Sequence, residues 1–430
     1  MQKVYPKILL VSNNGISDTS NNGRTLGNLI ALWPKDCVAQ FCISISNPNY
    51  SICDNYYVLT DNEVLSAFVK CRKAKRCEMV NAVNTEGNTL IRGRHSVKTG
   101  TKVLLRHLAW MNRWNSSEFY SWVENFHPDI VLCYNSDSAF ILDIARCIHS
   151  QRNIPLIMYN TEGFYLFKHH YYRRESFFDK ICFPIYRMIY KKSYKKFMDD
   201  VSCVIYLNDK LQKDYSAKFN HQSYVIYTSS SLKFDLNGAD ISKNNFYYIG
   251  NLGYNRWKAL IIVADVLREI NSSFILDIFG KTQDPEAQSA LINCPNIRMN
   301  GYLDYLGVKE KLYSSSILFH AEVFDPDFYN ELKYGFSTKI ADSISSGHCF
   351  VIFDESNTAG AEYVNHSQCG WLARSREELK KIIIEVLTNN SKRQIVLEKA
   401  RNVSESNHSL YNNHCRLHSI ILKTIDTYKK

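Results

Sequence analysis

Residues 246–253 read FYYIGNLG, and residues 8–15, near the start of the chain, read ILLVSNNG. Each stretch is a short apolar run that ends in Asn and Gly, which is typical of a strand buried in a parallel sheet and of the turn that leaves it. Helical patterns follow both, at 23–33 (GRTLGNLIALW) and 258–270 (KALIIVADVLREI). The two halves of the chain therefore begin alike, which predicts two domains of one architecture.

Strand and helix patterns continue to alternate in both halves. Further apolar runs that suit buried strands lie at 129–135, 155–160, 203–208, 274–280, 297–301, 316–322 and 349–354. Helical patterns lie between the later runs, at 307–314, 339–346 and 376–388. Strands separated by helices of this length indicate parallel sheets with helices on both faces. We therefore predict an α/β fold of two Rossmann-like, doubly wound domains.

The polar stretch 229–245 is the predicted linker between these domains. It separates an N-terminal domain, 1–230, from a C-terminal domain, 245–402. The final segment, 403–430, predicts an amphipathic helix that could pack back on the N-terminal domain. Ligands of open parallel sheets bind beyond the carboxyl ends of the strands, so we expect the site in a cleft where the two domains face each other.

Composition and charge exclude several classes of protein. With 45% hydrophobic and 22% charged residues, the chain is typical of a globular protein. Its thirteen cysteines include no CxxC pair, which argues against a zinc site and favours reduced thiols in the cytoplasm. No apolar run is long enough for a membrane span or a signal peptide. The net charge of +10 favours anionic partners: phosphates, acidic lipids or nucleic acid.

Residues 164–197 interleave aromatic side chains with Lys and Arg. Between Lys168 and Lys196, nine basic residues stand against two acidic ones. Because cations attract anionic head groups and aromatic rings favour the interface, we predict peripheral binding to the inner face of the cytoplasmic membrane. A solvated basic face over an aromatic core would give the same pattern. No nucleic-acid motif accompanies the charge, so nucleic acid is not an expected partner.

The first strand of the C-terminal half is followed by candidate phosphate ligands. Gly250, Asn251 and Gly253 form the turn, and Arg256 and Lys258 follow within five residues. Glycine allows the backbone to approach a ligand closely, and the two cations could neutralise phosphate oxygens. A glycine turn with solvated cations would look the same.

Two later strand ends offer further candidates. Gly280 ends the next strand, where a nucleotide base or ribose could rest, although a simple tight turn is an equal alternative. His320 and Glu322 end another strand, where polar groups often face a ligand. A buried, hydrogen-bonded histidine would explain His320 equally well.

The segment GFSTKIADSISSG (335–347) predicts a helix with an exposed start. Ser337 or Thr338 can cap its beginning, and Gly347 is a suitable end. A helix N-terminus favours an anion, and Lys339 adds a positive charge there. A plain capped helix explains the segment except for that lysine and the Gly-Phe lead-in.

Taken in order, these pieces resemble glycosyltransferase family four, whose members have the GT-B fold. The matching segments are YIGNLGYNRWKAL (248–260), ILDIFG (275–280), NIRMNGYLDY (296–305), SILFHAE (316–322), GFSTKIADSISSG (335–347), VIFDESNTAGAEYV (351–364) and GWLARSREELKKII (370–383). The resemblance covers roughly 245–390 and extends more weakly to NNGRTLGNL and HPDIVLCYN in the first half. The GFSTK form resembles a branch common in bacterial surface-polysaccharide assembly.

The resemblance implies a donor, a nucleotide diphosphate sugar, that is held by the C-terminal domain without a metal or cofactor. Arg256 stands at the usual lysine position and Asn251 at the usual arginine position, with Lys258 as a nearby substitute. The Ser337–Lys339 segment would adjoin the diphosphate. Asp342 occupies the position of the glutamate that holds the ribose.

The resemblance also implies the carboxylates of the reaction. Tyr334 stands where the family has a sugar-contacting glutamate, and Glu331 and Glu322 are nearby replacements. Glu162 stands roughly where the family has His-Asp near the reacting carbon. On the acceptor side, Gly23-Arg24 fills the position of the glycine-rich loop.

We therefore expect a glycosyltransferase that retains anomeric configuration, requires no metal and extends a lipid-linked glycan for capsule, exopolysaccharide or lipopolysaccharide. One alternative is a nucleotide-sugar epimerase, which shares the two-domain fold but gives the basic aromatic stretch no purpose. Another is a non-catalytic, membrane-bound relative, which the tyrosine at position 334 would suit.

Overall fold

The computed structural model describes residues 5–17, 21–77, 90–91, 99–167, 176–238, 240–322 and 326–429. The chain divides into two compact units. The first comprises Met1–Tyr227 together with Asn413–Lys430, and the second comprises Thr228–Asn412. Each unit is built around one parallel sheet with helices beside it.

The first unit contains the larger sheet. Its strands are β1 (Ile8–Asn14), β2 (Val38–Ser46), β3 (Asn55–Val58), β4 (Leu90–Ile91), β5 (Ile130–Tyr134), β6 (Leu156–Asn160), β7 (Cys203–Tyr206) and β8 (Ser223–Val225). They lie in the order β3-β2-β1-β5-β6-β7-β8, all parallel, and β4 pairs antiparallel with β2. In the central strand, Ile8 lies between Val38 and Ile130 and is fully buried, which explains the unbroken apolar run there.

In the described part of this unit, seven α-helices come before the second unit in the chain. They are α1 (Asn21–Ile30), α2 (Asp61–Val69), α3 (Gly100–Trp110), α4 (Ser117–Phe126), α5 (Ala139–Arg152), α6 (Phe177–Asp200) and α7 (Asp209–Ser216). The long helix α6 packs against α3 and α5. Its contact with α3 is close, because a Cβ atom on Gly100 would lie 2.5 Å from the backbone oxygen of Asp179.

The second unit has a six-stranded parallel sheet. Its strands are β9 (Phe246–Ile249), β10 (Leu276–Phe279), β11 (Ile297–Met299), β12 (Ile317–Ala321), β13 (Cys349–Phe353) and β14 (Trp371–Ala373). Their order is β11-β10-β9-β12-β13-β14. Its helices are α8 (Arg256–Ile270), α9 (Pro285–Ile292), α10 (Tyr305–Ser314), α11 (Pro326–Leu332), α12 (Thr338–Ser346), α13 (Ala359–Ser367), α14 (Arg376–Thr388) and α15 (Asn390–Val403).

The last helix, α16 (Leu410–Tyr428), carries the chain from the second unit back into the first. It buries Leu417, Ile420 and Ile421 along one face, as the amphipathic pattern predicts. Among the helices described, none is both long and apolar enough to cross a membrane.

The predicted fold class is confirmed: both units are Rossmann-like, with a doubly wound parallel sheet. Every strand predicted from an apolar run is present. The sequence patterns did not predict β2, β3, β4, β8 and β14. In both sheets the strand order reverses once, between β1 and β5 and between β9 and β12. The carboxyl edge at such a reversal is where doubly wound sheets bind ligands.

Candidate functional site

The reversal in the second unit brings two loops to one edge. β9 and β12 pair in parallel, with Tyr248 opposite Phe319, so their carboxyl ends lie together. The chain leaves β9 through Gly250 and leaves β12 at Glu322. The predicted phosphate turn and a predicted carboxylate therefore lie side by side.

Two glycines allow the elements at this edge to approach closely. The Gly250 N–H donates to the carbonyl of Phe279 at 2.8 Å, and a Cβ atom on Gly280 would lie 2.1 Å from the Gly250 oxygen. A Cβ atom on Gly250 would lie only 1.8 Å from Nζ of Lys339. The structure thus brings together three predicted site residues: Gly250 just after β9, Gly280 just after β10, and Lys339 on α12.

The turn between β9 and α8 has an unusual backbone. Tyr254 and Asn255 are both left-handed, with φ values of 61° and 57°. Its Asn251 side chain accepts a hydrogen bond from the Gly253 N–H at 2.8 Å, and the Asn251 carbonyl accepts one from the Tyr248 hydroxyl at 2.7 Å. A left-handed backbone is costly for residues other than glycine. These two residues lead directly into α8, which starts at the edge of the sheet.

Arg256, the first residue of α8, forms an ion pair with Glu322. Its Nη2 lies 2.9 Å from Oε2 of the carboxylate, and the two side chains are only 12% and 9% exposed. The other carboxylate oxygen lies 2.7 Å from Nε2 of His320. Burial alone would raise the pKa of Glu322, but Arg256 and His320 more than offset it and hold the pKa at about 2. Glu322 is therefore ionised, and it forms an ion pair with Arg256, the residue predicted to face the diphosphate.

Lys339 adds a second cation beside this pair. Its ammonium lies 5.7 Å from the centre of the Tyr248 ring and has no hydrogen-bond or ion-pair partner among the described residues. Burial, followed by the positive charge of Arg256, lowers the pKa of Lys339 to about 7. An ammonium that is destabilised in this way would gain from an anion placed next to it.

The start of α12 is organised as an anion site would require. Ser337 is the N-cap, and its hydroxyl accepts from the Lys339 N–H at 3.3 Å. The N–H of Thr338, the first helical residue, has no acceptor within the described part of the chain. The helix is fixed by buried Ile340 and ends at Gly347, which is left-handed with φ of 82°.

Other predicted residues of this unit lie outside the group around Lys339. Asp342 is buried at 3% exposure and accepts a hydrogen bond from the Ser230 hydroxyl at 2.6 Å, so its contact with a ribose stays a prediction. The exposed Lys258 holds its ammonium 5.3 Å from the Trp257 ring. Glu331 lies partly exposed on α11.

Tyr334, at the position of the absent glutamate, is 5% exposed. Its hydroxyl accepts from the ammonium of Lys333 at 3.1 Å. The tyrosine is thus held in the interior. Glu322 is the predicted carboxylate that the structure places beside Arg256.

In the first unit, Glu162 follows β6 on the carboxyl edge of the sheet. Its backbone carbonyl accepts from the Tyr215 hydroxyl at 3.3 Å, but its carboxylate has no hydrogen bond or salt bridge to any described residue. Burial raises the pKa of Glu162 to about 7. Gly23 and Arg24 lie in α1, which follows β1; Gly23 is buried and Arg24 is partly exposed.

The predicted membrane stretch is described only in part. Residues 168–175, which include Arg173 and Arg174, lie outside the described residues. On α6 some aromatic side chains, among them Tyr190 and Tyr194, are buried in the core. Two other aromatic side chains and three further apolar ones form an exposed ridge: Phe177 (74% exposed), Phe178 (68%), Ile181 (47%), Ile185 (42%) and Met188 (66%). The stretch thus serves the core on one side and presents apolar surface on the other.

No group of three or more His, Cys, Asp or Glu that could hold a metal ion occurs in the described ranges. Independence from metal stays a prediction.

Solved structures match nearly the whole chain at low sequence identity. HepE from Anabaena in complex with UDP aligns with a TM-score of 0.62 and 14% identity, over 97% of this chain and 100% of HepE. HepE has also been solved with UDP-glucose.

Two further structures have the same architecture. A glycosyltransferase from Rickettsia africae aligns with a TM-score of 0.59 and 11% identity, over 98% of this chain and 99% of that protein. The lipopolysaccharide outer core galactosyltransferase WaaB aligns with a TM-score of 0.55 and 12% identity, over 96% and 99%. No family model and no curated protein sequence matches the chain. The structural likenesses establish the GT-B fold.

Proposed function

We propose that this protein is a glycosyltransferase that takes its sugar from a nucleotide diphosphate sugar bound by the second unit. The observation that carries the proposal is the position of Lys339. Its ammonium, which has no hydrogen-bond or ion-pair partner among the described residues, lies against Gly250, beside the Arg256–Glu322 pair and at the start of α12. A diphosphate would supply the missing anion, and the strand reversal is where such a ligand binds in this fold class.

The same arrangement accounts for the chemistry. When the bond between the sugar and the diphosphate breaks, negative charge develops on the leaving diphosphate. A protonated Lys339, the guanidinium of Arg256 and the backbone N–H groups at the start of α12 would stabilise that charge. Because Glu322 holds Arg256 and the fold holds the backbone N–H groups at the start of α12 before the reaction, these groups need little reorganisation in the transition state.

The Arg256–Glu322 pair would determine how strongly this site attracts the diphosphate. Glu322 keeps Arg256 oriented and neutralises part of its charge, so the diphosphate would meet a directed guanidinium rather than a mobile one. We assign to Glu322, with His320 behind it, contact with the donor sugar in place of the absent glutamate. Glu331 is the second choice for that contact, and Asp342 is the proposed ribose ligand.

The acceptor is proposed to bind the first unit. Glu162 would orient the acceptor hydroxyl or accept its proton, since its carboxylate is unpartnered among the described residues and has a pKa near neutrality. Gly23 and Arg24 are proposed to line the acceptor side. Retention of configuration and independence from metal follow only from the resemblance to glycosyltransferase family four.

The proposed acceptor is a lipid-linked glycan of a bacterial surface polysaccharide. Support comes from the exposed ridge on α6, because bulky apolar side chains next to lysines suit the inner face of an anionic membrane. The architecture shared with WaaB, named as a lipopolysaccharide galactosyltransferase, agrees with this assignment. The ligands of HepE, UDP and UDP-glucose, make a uridine nucleotide the first donor to test.

The experiment is to measure nucleotide release from a panel of nucleotide sugars with an extract of lipid-linked glycans as acceptor. Release of one nucleoside diphosphate that requires the extract would support transfer. A rearranged sugar with no nucleotide release would instead indicate an epimerase. If no nucleotide sugar binds or reacts, the proposal is wrong.

A further inference from the structure

A long groove runs along the exposed side of α6 in the first unit. It is an open depression with a volume of about 880 Å³. Its wall on α6 extends from Phe183 to Asp199, and Tyr165 of the preceding loop also lines it. From Phe183 to Asp199 the helix rises through 16 steps of about 1.5 Å, which gives the groove a length of roughly 24 Å. The groove is therefore long enough for an extended ligand.

The polarity of the groove changes along its length. Phe183, Pro184 and Met188 line one end. Four lysines line the other: Lys191, Lys192, Lys195 and Lys196. Among the described residues of the lining, Asp199 is the one that is acidic. A molecule complementary to this gradient would have an apolar chain followed by a group with several negative charges.

The lysines have no close acidic partner in the described part of the chain. None of the four forms a hydrogen bond or a salt bridge with any residue that the structure describes. Lys191 and Lys195 are four residues apart, as are Lys192 and Lys196, so like charges are neighbours on the helix. Burial and the nearby charges of Arg187, Lys195 and Lys218 lower the pKa of Lys191. A multiply charged anion would relieve this repulsion.

Arg187 connects the groove to the loop that carries Glu162. Its guanidinium donates hydrogen bonds to the carbonyl oxygens of Tyr165 at 2.6 Å and Phe167 at 2.7 Å. Tyr165 follows Glu162 by three residues, so their Cα atoms are at most about 11 Å apart. A ligand held at the lysine end would have its head group close to the proposed acceptor carboxylate.

We propose that this groove binds the diphosphate and the adjoining hydrocarbon of a lipid diphosphate, the carrier of the glycan acceptor. The four lysines hold the diphosphate, and the apolar end holds the start of the chain. The inference rests on the proposed function, because it names the acceptor class of the same transfer. It assigns to α6 a site for one amphiphile, in addition to contact with a bilayer.

The test uses the full chain and three soluble probes: farnesyl diphosphate, farnesol and inorganic pyrophosphate. Calorimetry should show that farnesyl diphosphate binds more tightly than either of the others. The Lys191→Gln/Lys195→Gln variant should lose about tenfold or more in affinity for it. The matched control, Lys213→Gln/Lys429→Gln, removes two exposed lysines outside the groove and should bind as the wild type does.

A second variant tests the apolar end. Met188→Gln changes an exposed side chain, so the variant should fold. It should weaken the binding of farnesyl diphosphate without changing the binding of pyrophosphate. Unchanged affinity of the double lysine variant would overturn the proposal. So would equal affinity of the wild type for farnesyl diphosphate and pyrophosphate, which would leave a plain phosphate site.

Two controls distinguish a failure of the groove site from a failure of the proposed function and from binding to a general anionic surface. UDP is titrated into the same preparations: binding of UDP without binding of farnesyl diphosphate rejects the groove site and leaves the proposed function standing. Binding to phosphatidylglycerol vesicles, with no affinity for farnesyl diphosphate, also rejects it and assigns the lysines to a general anionic surface.

Discussion

The ammonium of Lys339 occupies the space that a side chain at Gly250 would need, since a Cβ atom there would lie 1.8 Å from Nζ. The glycine is therefore a condition for the position of the lysine. Because Nζ is the flexible end of a long side chain, it can move aside without disturbing the backbone. Position 250 thus controls the proposed diphosphate site and contributes little to folding.

We expect Gly250→Ala to weaken donor binding as much as Lys339→Ala does, by about tenfold or more, while leaving the thermal midpoint nearly unchanged. Gly280→Ala is the comparison. Its new Cβ atom would lie 2.1 Å from the backbone oxygen of Gly250, which cannot move aside, so this variant should lose stability. Calorimetric titration and thermal unfolding distinguish the two. Wild-type affinity in Gly250→Ala would argue against the role of the lysine.

The Arg256–Glu322 pair should show strong coupling in unfolding experiments. Glu322→Ala leaves a largely buried guanidinium without its partner, which costs about 3–5 kcal/mol in comparable cases. The double variant Arg256→Met/Glu322→Leu removes both charges and should be less destabilised than Glu322→Ala alone. The urea midpoints of Glu322→Ala, of the single variants Arg256→Met and Glu322→Leu, and of the double variant measure this. Additive losses would show that the two side chains act independently.

Glu162 should govern the pH dependence of transfer. A carboxyl with a pKa of about 7 acts as a base only when it is deprotonated, so, with the donor at a saturating concentration, kcat/KM for the acceptor should rise with pH up to about 7 and then level off. Glu162→Gln should remove that rise and reduce turnover by about a hundredfold or more. Initial rates measured from about pH 5.5 to about pH 9 provide the profile. A variant that keeps the wild-type profile would remove Glu162 from the reaction.

The ridge on α6 should hold the protein on membranes. Phe177→Ser/Phe178→Ser removes two rings that are 74% and 68% exposed, so folding should not change. In the wild type each ring would leave water when the protein binds the bilayer, and the variant lacks that gain. Partition onto phosphatidylglycerol vesicles should therefore fall by about tenfold or more. Leu236→Ser, which replaces a 72% exposed leucine of the second unit, is the control. Equal flotation of both variants with the vesicles would contradict the assignment.

Much of the fold could be predicted because strands buried on both faces leave unbroken apolar runs. β2 was missed because Gln40, fully buried within it, interrupts the run. Its side chain is hydrogen-bonded to the Ile16 N–H and to the Ser12 hydroxyl, so burial is tolerated there. β8 and β14 have only three residues each, too few for a pattern.

The residues of the proposed donor site could be named from the sequence, but their contacts could not. Arg256 and Glu322 are 66 positions apart, and their pairing depends on the strand order of the sheet. The contact between Asp342 and Ser230 joins α12 to the predicted linker, which no local pattern indicates. Nor does the sequence reveal the left-handed turn at Tyr254, since such backbones are usually made with glycine.

The most direct test of the donor site is a titration of a nucleotide sugar at several pH values. Lys339 has a pKa of about 7 without ligand, and a bound diphosphate would favour its protonated form. Affinity should therefore be nearly constant below that pH and fall as pH rises above it, until the pKa of the complex is reached. Lys339→Ala should bind about tenfold or more weakly at neutral pH and lack this decline. Lys381→Ala, an exposed lysine on α14, should match the wild type. If Lys339→Ala binds UDP-glucose and other nucleotide sugars with wild-type affinity and pH dependence, the account of the site is wrong.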